Sequence, residues 1–191
     1  MLKIIGTTDG RQASIEFDRH IPFSLRLGVP PAESSFIWTC NDRESEGKVS
    51  TLEVWVHART GAIHEITLVT ILPSRVILTE DFDGGPTVPT PGRIPVCDTE
   101  PWMREKAWNN PEEPAKKYVD DARRFDFVVG VDFVSVRFPG LGEPQSWIVN
   151  QRSRFGMNAE GFLCRIDLIG LKADELAGIR GRNSIRGQDC R

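Results

Sequence analysis

The chain has 191 residues, 39% hydrophobic and 27% charged, with a formal net charge of −3. That composition is ordinary for a globular protein, and the charge excludes a generally basic nucleic-acid-binding surface, which has to displace counterions. No run approaches the roughly 18 apolar residues of a membrane helix. Met1–Gly6 also lacks the basic-then-apolar order of a secretory leader, so the reading is a cytoplasmic protein with no membrane and no direct nucleic-acid partner.

In chain order, the first predicted strands are Ser14–Phe17 and the segment Ser24-Leu25-Arg26-Leu27, where β-branched and aromatic residues gather. A Gly/Pro loop over 28–33 leads to Ser35-Phe36-Ile37, and a longer acidic loop over 41–48 follows. Leu52, Val54 and Val56 then alternate with Glu53, Trp55 and His57, and Ile66 and Leu68 with Glu65 and Thr67. This period of two predicts a hairpin. A three-residue loop, Arg59-Thr60-Gly61, sets Val54 against Ile66 and Leu52 against Leu68, with Gly61 left-handed. In this register His57 faces outward and His64 falls on the core face. Arg75–Thr79 is a further strand.

Residues 81–124 differ in composition. Seven of the thirteen prolines lie between Pro86 and Pro114, and Pro89, Pro91 and Pro95 argue against regular strand pairing. Thr99-Glu100-Pro101-Trp102 reads as a helix start, with a cap and a proline in the first turn. Asn110-Pro111-Glu112-Glu113 reads as a second, running toward Arg123 with Ala115, Tyr118, Val119 and Ala122 inward. Trp102 and Trp108 are costly to leave in water. They either cover a sheet face or anchor a partner.

The remaining segments repeat the first. Ser135-Val136-Arg137-Phe138 matches Ser24-Leu25-Arg26-Leu27, and Ser146-Trp147-Ile148 matches Ser35-Phe36-Ile37 at the same spacing. The run Gly161–Ile169 matches Gly61–Val69 at a shorter one. A second hairpin with a two-residue turn, Glu160-Gly161, pairs Phe155 with Ile166, Met157 with Cys164 and Arg154 with Asp167. Its turn is one residue shorter than the first. Phe125–Val129 is another strand, Ala173–Ile179 a short helix, and residues after 180 a frayed tail.

The expected fold is mainly β (α+β): a pseudo-symmetric β-sandwich or curved sheet from two copies of a hairpin unit. Residues 1–80 form the first unit, 81–124 the Pro-rich connector with short helices, and 125–191 the second unit with its C-terminal helix. Two units with one buried face each need a common core, which predicts one body.

Motifs for chemistry are missing. The four cysteines, Cys40, Cys97, Cys164 and Cys190, have no CxxC spacing and no neighbouring histidine, which predicts free buried thiols. There is no GxSxG, no GxxxxGK[ST] and no GxGxxG between a strand and a helix. No cofactor or metal is expected, and the chain reads as a binding protein rather than an enzyme. Partner contact is placed on Asp42, Arg43, Glu44 and Glu46 of the longer loop of the first unit, on Asp81 and Asp83 after the Arg75–Thr79 strand, and on Trp102 and Trp108. Loops on rigid sheets carry recognition.

The segments Leu52–His57 with Gly61-Ala62-Ile63, and Phe162–Leu168, resemble strand–turn–strand units of the immunity proteins of bacterial polymorphic toxin systems, of the contact-dependent inhibition and type VI effector kinds. The resemblance implies a cytosolic inhibitor that binds a cognate toxin domain directly, and the acidic loops suit a toxin with a basic surface. The alternative is an enzyme or small-ligand binder with its site in a cleft between the units, lined by Trp38, Trp55, Trp147 and Phe155. A homodimer through exposed edge strands is also compatible with the pattern.

Overall fold

A computed structural model describes residues 1–10, 13–18, 20–28, 35–44, 47–82, 92–104 and 118–184. The first half runs through β1 (Ile4–Asp9), β2 (Ser14–Glu16), β3 (Phe23–Arg26), β4 (Ser35–Arg43), β5 (Val49–His57), β6 (Ile63–Thr70) and β7 (Val76–Leu78). Then come β8 (Arg93–Cys97), α1 (Glu100–Arg104), β9 (Tyr118–Ala122), β10 (Asp126–Val129), β11 (Phe133–Arg137), β12 (Ser146–Asn150), β13 (Ser153–Met157), β14 (Leu163–Ile169) and α2 (Ala173–Ser184). The protein is mainly β with two short helices, as the period-two patterns predict.

Side-chain alternation sets both hairpins. Strand β5 buries Ser50, Leu52, Val54 and Val56 and leaves the residues between them half-buried. Leu52 pairs with Leu68 and Val54 with Ile66. In the second hairpin Phe155 pairs with Ile166 and Arg154 with Asp167. These four pairs match the sequence reading. The turns close on Gly61 at φ 73° and Gly161 at φ 82°, a region that side chains with a Cβ avoid. The His57 amide donates to the Ala62 carbonyl, and the Asn158 amide to that of Phe162, so the loops are 58–61 and 159–161, each one residue longer than the alternation predicts, and the second is the shorter by one as expected.

Each hairpin carries a β-bulge. Pairing jumps from Trp55–Glu65 to Val56–Ile63, and from Gly156–Arg165 to Met157–Leu163. The bulged residues are His64 and Cys164, so Met157 lies opposite Leu163 rather than Cys164.

Two six-stranded sheets result, ordered β2-β3-β6-β5-β4-β9 and β7-β10-β11-β14-β13-β12. Strands β2 to β6 of the first sheet correspond in order and direction to β10 to β14 of the second. Leu25 faces Ile66 as Val136 faces Ile166. Trp38 faces Val54 as Ile148 faces Phe155. Trp38, not Ile37, therefore occupies the place of Ile148, and the match of Ser35-Phe36-Ile37 with Ser146-Trp147-Ile148 is out by one residue. The connection from β11 to β12 is effectively one residue shorter than that from β3 to β4.

The sixth strand of each sheet comes from the other half of the chain. Strand β7 follows the first hairpin and pairs in parallel with β10 of the second sheet, and β9 precedes the second unit and pairs in parallel with β4 of the first. Tyr118, Val119 and Ala122 are thus on a strand and not on the inner stripe of a helix. The proposed second helix start at Asn110 lies outside the described residues. Helix α1 begins at Glu100 as predicted, and α2 extends beyond Ile179 to Ser184.

A third, two-stranded ribbon pairs β1 with β8. Pro95 sits inside it opposite Thr7, so the pairing expected to fail at this proline survives in a narrow ribbon, where Pro95 needs no donor of its own. The ribbon joins the two hairpin turns: the Cys97 amide donates to the Gly61 carbonyl at 2.7 Å, and the Ile4 amide to that of Gly161 at 2.8 Å.

The inner faces of both six-stranded sheets share one core. Phe23 stacks on Phe127 with ring centroids 6.2 Å apart, and Trp38 meets Phe138 edge-on at 6.2 Å. Leu176 and Ile179 of α2 and Leu2 join the same cluster. Burial of each such side chain contributes about 1.5–3 kcal/mol.

Candidate functional site

The residues proposed for partner contact separate into different environments. Asp42 is buried at 4% exposure, and its carboxylate accepts from the Arg75 guanidinium. That hydrogen bond raises the Arg75 pKa above its ordinary value. Glu44 is half-buried; it accepts from the Ser74 hydroxyl and lies 3.6 Å from Arg75. Arg43 and Asp81 are exposed. The network Asp42–Arg75–Glu44 leads through a 3-10 turn at Pro73–Arg75 straight into β7 and on to Asp81, so these residues share one side of the molecule. Trp102 does not belong to that side. It packs edge-on against Phe36 with centroids 5.4 Å apart and leans on the core. Glu46, Asp83 and Trp108 lie outside the described residues.

The four residues proposed to line a cleft between the units do not share one. Trp38 and Phe155 are buried in the common core. Trp55 and Trp147 are half-buried at outward-facing positions of different sheets.

The outward face of the second sheet carries an unexpected polar cluster. Arg154 and Asp167 are wholly buried and Arg165 is 3% exposed. Asp167 accepts from Arg154 Nη2 at 2.9 Å and from Arg165 Nε at 2.7 Å. Phe82 and Trp147 lie over the guanidiniums: Arg154 Cζ is 4.6 Å from the Phe82 ring centre and 5.3 Å from that of Trp147. One carboxylate thus serves two buried cations, and aromatic faces offset part of the desolvation. The corresponding positions of the first sheet hold Glu53, Thr67 and Glu65, so the cluster is peculiar to the second. The hairpin register pairs Arg154 with Asp167. Their burial was not legible, because Phe82 and Trp147 arrive from distant segments.

Two clefts flank the bulges. One, of about 340 Å³, lies beside the arginine cluster; Arg137, Arg165, Asp126, Asp81, Glu143 and Cys164 supply its polar wall. The other, of about 350 Å³, lies between the β1–β8 ribbon and the first hairpin and includes His57, His64 and Asp9. The bulge overturns the expected opposition of His57 and His64, since both line this cleft. His64 is 8% exposed; its Nε2 is 3.0 Å from Ser35 Oγ and its ring meets Trp55. Burial lowers its pKa below 6.5, so the ring is held neutral. His57 Nδ1 accepts from the amides of Arg59 and Thr60.

Cys40, Cys97 and Cys164 are free and buried. Burial is the main cause that pushes their thiols up to about 12, about 12 and about 11, which suppresses the thiolate needed for nucleophilic attack. Cys190 lies outside the described residues. Among the described residues no group of three or more His, Cys, Asp or Glu is placed to hold a metal ion, and no helix is long and apolar enough to cross a membrane.

Compared with known protein-family models and with curated proteins, the chain matches none.

Proposed function

We propose that the protein is a cytoplasmic inhibitor that binds a partner protein directly, in the manner of the immunity proteins of bacterial polymorphic toxin systems. The observation that carries this reading is the edge at β7. Ile77 and Leu78 are 45% and 64% exposed on a strand that ends the second sheet among the described residues. Half-buried Glu44 lies at one end of this edge, through Arg75, and exposed Asp81 at the other. An exposed apolar edge strand, Ile77 on one face and Leu78 on the other, with acidic groups at its ends suits a basic partner: the edge supplies buried area and the acidic groups steer approach. The raised thiol pKa values agree with a chain whose cysteines do packing rather than chemistry.

The experiment is affinity capture from the native host with the tagged chain, followed by association kinetics of the partner found. One stoichiometric partner carrying a toxin domain is the expected result. The double variant Glu44→Lys/Asp81→Lys then slows association about tenfold at low salt, and Leu78→Asp speeds dissociation. Unchanged kinetics in both variants would reject the surface, and a partner without a toxin domain would reject the inhibitor reading. The second reading, a small-ligand binder or an enzyme, is favoured by the two clefts at the bulges rather than by any cleft between the sheets.

A further inference from the structure

Resting on the reading of β7 as the partner-facing edge, we infer that the partner docks by adding a strand to it. The added strand is an extended segment in which long basic residues alternate with apolar ones. One basic side chain lies in the cleft of about 340 Å³ that opens on the outer face of this edge, and the apolar residues cover Leu78 on the other face.

The backbone of β7 is only half used. The Thr79 amide donates to the Val129 carbonyl, and Leu78 is the residue opposite Val129 in this parallel pair. Alternate residues of a strand aim their N–H and C=O to opposite sides. Ile77 and Thr79 therefore bond β10, while the Leu78 N–H and C=O and the Val76 C=O point away from the sheet. The Val76 N–H is taken by the Pro73 carbonyl. Among the described residues no strand pairs with that side of β7. Phe82 packs on Phe133 with ring centres 4.5 Å apart, so it lies back over the sheet rather than alongside β7. Open edges are normally blunted by charge, proline or cover. The other borders follow that rule: β2 carries Glu16, β9 carries Asp120 and Asp121, and β12 lies beside β8. Val76–Leu78 has neither charge nor proline. Arg75, bound to Asp42 of β4, ties the start of the strand to the other sheet. An arriving segment thus meets an edge that is already ordered, which lowers the cost of docking.

Side chains set which segment fits. Ile77, Thr79 and Asp81 alternate along β7 and the residues after it, and all three line the cleft. The two arginines of the cleft are compensated in place: Arg137 lies opposite Asp126 across β10 and β11, and Arg165 donates to Asp167. The wall carboxylates that reach solvent are Asp81 and Glu143. A residue entering on this face meets apolar Ile77 first and negative charge at the mouth. That setting suits a Lys or Arg whose stem packs and whose head stays at the rim. Leu78, 64% exposed, points to the opposite face and packs against an apolar neighbour. In strand addition the main-chain bonds supply affinity and the alternate side chains supply choice.

The test is calorimetric titration of the full chain with a capped synthetic peptide in which valine and arginine alternate, together with hydrogen exchange of the Leu78 amide. The peptide should bind with a millimolar or tighter constant and slow exchange at Leu78 at least tenfold. A peptide alternating valine and glutamate should bind at least tenfold more weakly. N-methylation of one alternate set of peptide amides should weaken binding at least tenfold, and of the other set less than twofold, since one set alone can face β7. Leu78→Pro, which removes an N–H that β10 does not use, should abolish binding; the N-methylated peptides give the same answer without altering the protein. No binding in the millimolar range, unchanged exchange at Leu78, or equal losses from the two N-methylated sets would overturn strand addition. So would a free chain that sediments as a dimer and becomes monomeric on Leu78→Pro, because a second copy would then hold the edge. A captured toxin-domain partner that leaves exchange at Leu78 unchanged would overturn strand addition alone, with the inhibitor reading intact. A peptide that protects Leu78, beside a captured partner without a toxin domain, would support strand addition and reject the inhibitor.

Discussion

The Cys97 carbonyl lies against the α-carbon of Gly61, on the side where any other residue would place its Cβ. The same Cys97 donates its amide to the Gly61 carbonyl, so the ribbon is docked on the turn by a contact that only glycine permits. Gly61→Ala should destabilise the fold by about 1–3 kcal/mol from left-handed backbone alone, with the collision adding to it. Gly161→Ala should cost less, because the Ile4 carbonyl is 3.3 Å from the corresponding Cβ position. Urea denaturation of the two variants gives the comparison; equal losses would show that the ribbon contact contributes nothing.

Asp167 accepts hydrogen bonds from two buried guanidiniums, those of Arg154 and Arg165. Asp167→Ala removes a carboxylate that both guanidiniums bind and should cost about 3–5 kcal/mol, the usual range for a broken buried pair. Arg165→Met keeps the Arg154–Asp167 ion pair and should cost less. A thermal melt in which Arg165→Met is the weaker protein would contradict this charge balance.

Burial lowers the pKa of His64, with Glu65 opposing and His57 reinforcing the shift. The folded state then binds fewer protons than the unfolded one between the lowered value and 6.5. Stability is complete above 6.5 and falls as pH drops through that window. His64→Asn should flatten the slope of unfolding free energy against pH just below 6.5, measured by denaturant titration at a series of pH values. An unchanged slope would place the titration elsewhere.

Asp42 and Glu44 were grouped by sequence, but they differ in burial and should differ in effect. Asp42→Asn removes the charge that the Arg75 guanidinium binds, with an expected loss of about 1.5–3 kcal/mol. Glu44→Gln, at a more exposed pair, should cost under about 1 kcal/mol. Equal melting temperatures for the two variants would show that the inward turn of Asp42 has no energetic weight.

The hairpins were legible because local rules agree on them. Leu52, Val54, Ile66 and Leu68 alternate with polar residues, and Gly61 and Gly161 mark the turns. The bulges were not, since a single unpaired residue leaves the alternation on either side intact; their neglect misplaced His64 and Met157. Strand β1 escaped because all but one of its residues are exposed, which erases the apolar half of the pattern. Tyr118–Ala122 follows a period of two, with Val119 and Asp121 turned inward, but its flanking charges and alanines read equally as helix. Pairing with β4, distant in sequence, decided between them. The candidate cleft was hidden for a related reason. Arg137, Arg165 and Gly156 are ordinary strand residues until the register sets them side by side.

The exchange of β7 and β9 has a consequence for synthesis. A ribosome that has released only the first eighty residues has produced a sheet lacking one border strand, and a spare strand with nothing to pair with. Neither border closes until Tyr118 to Val129 has emerged. Cooperative closure should therefore come late, and a chain cut between the two halves should regain its structure only when both fragments are mixed.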